Sequence, residues 1–437
     1  MQERSAKDKL ARESTIMRVL CICPNFVPVM DSEAVCSAKV VKGLIKRGID
    51  TVVVAFDYSV YNKYIDNSVA WKTLTDITIR IPSANKNERE SIRSIICGLR
   101  YRTADLYLSQ WVHNVLKKVI LMHQGNRFDV VYSRSLPMEA HVVGYWVSRR
   151  LGLPWIANID DPWDWHLFPD AKKESFSRLQ MHMSNFCLKK TLKTADMITY
   201  PSLRLWKYHE CISGILHHAE VIPHIGYSSK TMPDPGKVTF VHAGKLGSNE
   251  VTMRSPAGFL RAFKNILNKF PDLKNKMKII FVGPEDNIVH RMTIDLGLED
   301  NVNFTGRVEY QESLKYICSA NVCILVEGKM KEGIYLPSKI ADYIVSNKPV
   351  IALSPKIGTV SDLSKYSGIY RADPDDELAL EGILKEIILI LKNNELRKLH
   401  PSAELVNMFK EKSVMDRLIS CINYLVHRRG DLPGTVQ

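Results

Sequence analysis

No apolar run in the 437 residues approaches the ~18 to 20 needed to cross a bilayer. A helical membrane-spanning protein is therefore excluded. There is no low-complexity tract and no internal repeat, which excludes solenoids and fibrous folds. The nine cysteines are scattered singly, at Cys21, Cys23, Cys36, Cys97, Cys187, Cys211, Cys318, Cys323 and Cys421. An odd number with no CxxC pair and no Cys/His cluster fits neither a disulfide framework nor a zinc site. A reducing cytoplasm follows as the expected compartment. Neither an HExxH nor a carboxylate-rich loop is present, so no essential metal is expected. The opening stretch, Met1 to Met17, is charged and lacks the apolar core of a signal peptide; residues 1–16 read as a disordered leader.

Acidic residues are also in short supply: 47 Asp and Glu stand against 60 Lys and Arg, for a net charge of +13. Residues 1–225 carry +9 of this and the remainder +4. A basic first half suggests an anionic partner, whether phospholipid, nucleic acid or a phosphorylated acceptor; the alternative is a solvated surface.

What is present is an alternation of short β-branched runs with amphipathic stretches, the pattern of parallel sheets with crossover helices. Strands are predicted at 18–23, 51–56, 129–132, 155–159 and 197–200, then again at 238–242, 278–282, 302–304, 322–326 and 349–353. Ala34, Ala38, Val41 and Ile45 lie at helical spacing after the first strand, and a second helix is predicted from Pro137 to Leu151. The polar, Pro/Gly-bearing stretch 228–236 reads as a linker. The expected domains are then 17–227 and 237–410, with a helix from Glu411 to about His427 packing back across the first domain. Two such sheets place a cleft beyond their strands' carboxyl ends.

The most informative segment runs from Glu332 through Gly333, Ile334, Tyr335, Leu336, Pro337, Ser338 and Lys339 to Asp342, followed by Asn347-Lys348-Pro349-Val350. Pro337 suits the first turn of a helix. Gly333 allows close backbone approach. Free amides at the helix start suit a diphosphate. Glu332 has the chemistry to accept from sugar hydroxyls and Asp342 from a ribose; the plain alternative is a helix start with an Asp342–Lys339 surface pair.

This segment resembles the retaining GT-B glycosyltransferases of family 4, in which an acid, a glycine loop, a proline-started helix and a second acid precede a Lys-Pro-Val turn. Nine residues separate the two acids here rather than the usual seven, and the second is Asp rather than Glu. Phe240 to Leu246 and then Arg254-Ser255-Pro256 are similar to the opening of that family's second domain. The resemblance implies that Lys245 and Arg254 contact the donor diphosphate, Arg254 preferred because a guanidinium forks onto phosphate oxygens. It places Gly306 and Arg307 near the nucleobase, and Gly333, Ile334, Tyr335, Leu336 and Asp342 around the donor. In the first half the glycine pair usual in the first loop is replaced by Met30-Asp31-Ser32-Glu33. Ser133 to Pro137 and Trp155 to Trp163 resemble cleft loops, with Asp160 where an arginine is common and Asp161 retained. Asp161 has either a contact to the transferred sugar or acceptor, or a capping role.

The implied fold is α/β, two Rossmann-like domains facing a central cleft. The implied activity is retaining transfer of a sugar from a nucleoside-diphosphate sugar, with Glu332, Asp161 and Arg254 as the catalytic set and no cofactor beyond the donor. The acceptor belongs to the first domain and its contacts are unassigned. Arg89, Arg93, Arg100, Arg102 and Lys117 interleave with Ile92, Ile95, Ile96 and Trp111, and a second basic stretch spans Lys172 to Lys207. Such interleaving suits an anionic membrane edge, favouring a saccharide or lipid-linked acceptor in glycan or polysaccharide synthesis at the inner face of the membrane. Ordinary core-facing amphipathicity is the alternative for both helices. Competing readings are a nucleic-acid-modifying glycosyltransferase, a sugar-nucleotide epimerase or phosphorylase, and a non-catalytic partner subunit.

Overall fold

The computed structural model describes residues 16–57, 64–66, 68–82, 92–103, 106–162, 178–234, 236–248, 253–393 and 395–430. The leader 1–16, apart from Ile16, falls outside them, as do Arg89, Lys172 and Trp163.

Two parallel sheets organise these residues. The first has the order β3-β2-β1-β4-β5-β6-β7, with β1 Arg18–Ile22, β2 Asp50–Phe56, β3 Thr78–Ile81, β4 Val130–Arg134, β5 Trp155–Asn158, β6 Met197–Tyr200 and β7 Ala219–Val221. The second runs β10-β9-β8-β11-β12-β13, with β8 Val238–Ala243, β9 Met277–Val282, β10 Val302–Phe304, β11 Val322–Val326, β12 Val350–Leu353 and β13 Ile369–Ala372. Central strands such as β4 and β11 are buried throughout, because helices cover both faces of a parallel sheet. Their near-continuous apolar runs made them predictable. The three strands without a predicted counterpart, β3, β7 and β13, all lie at sheet edges. Edge strands are short and half-polar, so their pattern is faint.

Helix α1, Ser32–Lys46, follows β1 and is capped by Asp31, whose carboxylate accepts from the Ala34 amide. Helix α2 spans Ile92–Tyr101, α3 Leu106–Gly125, α4 Glu139–Leu151, α5 Arg178–Thr194 and α6 Leu203–Ser213. In the second half, α7 spans Ala257–Lys269, α8 Tyr310–Ser319, α9 Lys339–Val345, α10 Glu377–Lys392 and α11 Glu411–Gly430. Helix α11 lies against α1: Met415 sits where a side chain on Gly43 would stand, and Glu411 pairs with Lys46 and Arg47. No helix among the described residues is long and apolar enough to cross a membrane.

One apolar cluster runs through both halves, joining Val19, Val41 and Val53 to Leu325, Ile340 and Ile344 and to Phe409 and Met415. The two sheets therefore share a seam, and the cleft opens where their strand ends face each other.

Candidate active site between the two sheets

In a sheet of this order, ligands bind at the point where strand order reverses. In the second sheet that point lies between β8 and β11. β8 ends at Gly244, whose φ of +112° is a conformation that side-chain-bearing residues rarely adopt. β9 ends at Gly283, where an added Cβ would stand 2.8 Å from the Gly244 carbonyl oxygen. Backbone thus approaches backbone at the strand ends. The Gly247 and Ser248 amides donate to the Asp286 carboxylate, and the Ser248 hydroxyl donates to the Arg254 carbonyl. Lys245 is exposed and Arg254 partly buried.

Arg254 acts on groups from both domains. Its charge lowers the pKa of Asp161 in the first domain and of Glu327 in the second, and those of His242 and Lys339. Asp161 is nonetheless raised to about 6, by burial and by neighbouring Asp160, with His224, Arg254 and a hydrogen bond to Glu33 acting in the opposite direction. Glu33 is pushed up as well, by burial and then by Asp161 and Asp160. Two carboxyls that close favour a single shared proton. Asp160 itself is committed: its carboxylate lies 2.5 Å from Arg134, and Arg134 also donates to Ser37 and to the Tyr132 hydroxyl. That buried network orients the Asp160-Asp161 loop. The acids in the first loop, in place of glycines, are thereby accounted for. Asp31 caps a helix, and Glu33 partners Asp161.

Lys339 and His242 line the second-domain side. His242 donates through Nδ1 to the Ile324 carbonyl, so Nε2 carries the lone pair and faces the Lys339 amine at 3.4 Å. Burial, and then Lys339, keep the imidazole well below its usual value. Lys339 is partly buried and is lowered to about 7, by burial and then by Arg254. Glu327, the residue after β11, is 4% exposed. Neither of its oxygens has a hydrogen-bond partner of adequate geometry among the described residues. Burial raises its carboxyl to about 7, offset in part by Ser354 and Arg254.

The Glu332–Asp342 segment is arranged differently from its expected geometry. Asp342 is buried and fully engaged: Lys39 of α1 and the Tyr227 amide both lie at 2.7 Å from Oδ1, and the Tyr310 hydroxyl donates at 3.1 Å. It ties the domains together, its oxygens taken up by these three donors. The expected Asp342–Lys339 surface pair is not formed either, because the two side chains point to different neighbours. Glu332 is half-exposed and held 2.5 Å from Arg204 of α6, which also grips Asp362 at 2.6 and 2.8 Å. The Gly333 amide donates to the Ile357 carbonyl rather than to a free site. Ile334 is buried among first-domain side chains. Its carbonyl accepts from Ser202 and Thr359, and that of Leu336 from His224. Tyr335 packs against the same first-domain cluster. Helix α9 begins at Lys339, after Pro337, and has only seven residues, so its dipole is a smaller contribution than a longer helix would provide. Gly306 (φ +70°) follows the end of β10, its carbonyl accepting from Gly283, and Arg307 lies over the Tyr64 ring.

Comparison with known proteins fits this arrangement. Residues 238–388 match the family described as Glycosyl transferases group 1. Over 342 residues the chain is 23% identical to the "probable glycosyltransferase WbjE" of Pseudomonas aeruginosa, covering 73% of this chain and 80% of that one. The fold is that of the GT-B glycosyltransferases. Among solved structures, sucrose-phosphate synthase from Thermosynechococcus elongatus superposes with a TM-score of 0.66 at 13% identity, over 94% of this chain and 100% of that one. Anabaena Alr3699/HepE, in complex with UDP-glucose, gives 0.61 at 15% identity over the same shares. Sequence reading singled out Arg254 and Asp161, which the structure brings into electrostatic contact from the two halves. It passed over Glu327, Lys339, His242 and the partner role of Glu33. Glu327 did leave a signal: it is an acid that closes an otherwise apolar strand at its carboxyl end.

Proposed function

We propose that this glycosyltransferase moves a sugar, with retention, from a nucleoside-diphosphate sugar to a saccharide or lipid-linked acceptor in glycan or polysaccharide synthesis, at an anionic membrane surface. The observation that carries the donor half is Arg254. It follows β8, a strand that flanks the switch point of the second sheet, and its charge bears on Asp161 of the first domain. The UDP-glucose in complex with Anabaena Alr3699/HepE, which shares the fold, supports a nucleotide sugar as donor. In the reaction the bond from the anomeric carbon to the diphosphate oxygen breaks as the acceptor oxygen bonds to that carbon on the same face. The acceptor's proton passes to the departing phosphate. Arg254 and Lys245 balance the charge that develops there, in a setting that needs no solvent reorganisation. Asp161 and Glu33 hold an acceptor or sugar hydroxyl opposite.

Helix α2 supports the acceptor half. Ile92, Ile95, Ile96 and Leu99 form an exposed stripe on it, at 77, 43, 58 and 75% exposure, while Ser94, Cys97 and Tyr101 face inward. Arg93, Arg100 and Arg102 flank the stripe. Together with Lys117 and Arg150, Arg93 and Arg100 lower the His113 imidazole beyond the effect of burial. An apolar stripe between cations is the arrangement that settles on anionic lipid.

Thermal shift against a panel of UDP-, GDP- and ADP-sugars tests the donor half, since a ligand of the native state raises its melting temperature. Arg254→Ala should weaken diphosphate binding by roughly ten- to a hundredfold, the loss of charge-assisted hydrogen bonds. A panel in which nothing stabilises the protein sinks the reading. Retention is read from the anomeric configuration of the product. Flotation should carry the protein with phosphatidylglycerol vesicles and not with phosphatidylcholine ones, and Ile96→Asp should release it. Binding to DNA in place of vesicles would move the acceptor to nucleic acid.

A further inference from the structure

Four strands meet around the switch point of the second sheet, and the residues that leave them are Gly283 after β9, Gly244 after β8, Glu327 after β11 and Ser354 after β12. Only Glu327 among these carries an ionisable group. Its carboxyl is 4% exposed with both oxygens unpartnered among the described residues. A buried polar group left in that state is costly unless something completes it. An added Cβ on Gly333 would come to 3.5 and 3.6 Å from the two oxygens; glycine leaves that space clear. On the other side of the switch point, no carboxylate pairs with the Lys339 amine among the described residues. It faces the lone pair of His242, 3.4 Å away. A Cβ on Gly244 would reach 2.9 Å from the same amine, so glycine is needed there for the lysine to lie across the strand end.

We propose that Glu327 is the group that receives the hydroxyls of the transferred sugar, and that Lys339 joins Arg254 on the diphosphate of the same donor. The inference rests on the glycosyl-transfer reading and assigns two contacts within it. A carboxyl without donors matches a ligand rich in hydroxyls, and an amine without an acid matches an anion. The Arg254 charge bears on both groups. Glu332, by contrast, is half-exposed and already engaged by Arg204.

Protonation adds a separate readout. Among the described residues the charged and titratable groups facing Lys339 are His242 from β8 and Arg254 beyond it; burial and Arg254 disfavour a charged amine, while neutral His242 presents its lone pair. With the amine lowered to about 7, it is largely neutral at pH 8, and an arriving diphosphate draws a proton onto it.

The test uses the full chain and its Glu327→Gln, Glu332→Gln and Lys339→Met variants. Calorimetry measures UDP, GDP and ADP, their monophosphates and their hexose conjugates. Glu327→Gln should hold nucleoside-diphosphate affinity within ~threefold, lose the extra affinity conferred by the sugar, and slow transfer or donor hydrolysis by ~100-fold. Glu332→Gln should keep the sugar's contribution. Lys339→Met should weaken diphosphates by ~tenfold and monophosphates much less. It should also abolish proton uptake at pH 8, measured in two buffers of different ionisation enthalpy. A melting temperature for Glu327→Gln at or above that of the parent separates a lost contact from lost folding. The proposal is overturned if Glu327→Gln retains the sugar's contribution while Glu332→Gln loses it, or if Lys339→Met leaves proton uptake intact. If the parent protein binds none of the panel, the glycosyl-transfer reading itself fails, which is a different result.

Discussion

Asp342 and Glu327 are both buried acids of the second domain, and their surroundings are opposite. Asp342 lies on the seam between domains, where a lysine, a backbone amide and a tyrosine hydroxyl converge on it. Glu327 lies at the mouth of the sheet, and among the described residues neither of its oxygens has a hydrogen-bond partner of adequate geometry. The first acid spends its hydrogen-bonding capacity on structure; the second keeps it for something that is not part of the chain. The contrast separates acids that hold the two domains together from an acid placed to meet a ligand, and burial alone does not make that distinction.

The largest test of the contrast is on the seam. Lys39 and Asp342 have side-chain exposures of 2 and 8%. Lys39→Met leaves the carboxylate buried without its counter-charge, which costs about 3 to 5 kcal/mol. Denaturant unfolding should show that loss, and replacing Asp342 by leucine in the same chain should restore much of it, since an apolar pair can stand in for a buried ion pair. A loss under ~1 kcal/mol, the scale of an exposed pair, would mean that water reaches the seam and that the two acids differ less than their geometry indicates.

Glu327 should give the opposite sign. Its folded carboxyl is raised to about 7 from an ordinary 4.5, so the folded chain binds that proton more tightly than the unfolded one. The stability this lends is complete below the ordinary value and is lost as pH rises through the folded one. Across pH ~4.5 to ~7 the parent protein should therefore lose up to ~3 kcal/mol through this group. Glu327→Gln lacks the titration. The two melting temperatures should coincide near pH 4.5, with the variant a few degrees above its parent at pH 8. Parallel curves would show that Glu327 is solvated, and the contrast with Asp342 would collapse.

These differences also explain how far the sequence could be read. Val322–Val326 and Val130–Arg134 could be found because strands buried on both faces are apolar throughout. The edge strands Thr78–Ile81, Ala219–Val221 and Ile369–Ala372 lack that pressure. Arg254 could be picked out because phosphate recognition favours a guanidinium on a loop after a strand. The orientation of Glu332 and Asp342 could not, because it is set by Arg204 and Lys39, which lie 128 and 303 residues away along the chain. Glu327 stands just before the motif as the acid ending an apolar run. Only the strand order shows that this run ends at the switch point.

The smallest effect belongs to the third acid, Glu332, which is neither buried nor unpartnered. Arg204 is 27% exposed, Glu332 48% and Asp362 54%, so water and salt screen the clasp they form. Arg204→Ala should cost under ~1 kcal/mol despite its near-ideal geometry, and the loss should shrink further in 1 M salt. Thermal melts of Arg204→Ala, Glu332→Gln and the double variant place a bound on the coupling, because non-additivity measures what the pair contributes beyond its separate members. With Glu332 acting only as a clasp, the single variants should change transfer little and to a similar extent. If Glu332→Gln alone abolished transfer while Arg204→Ala left it intact, Glu332 would have to leave the arginine and turn toward the sugar during turnover. The clasp would then be a resting contact that opens when donor binds.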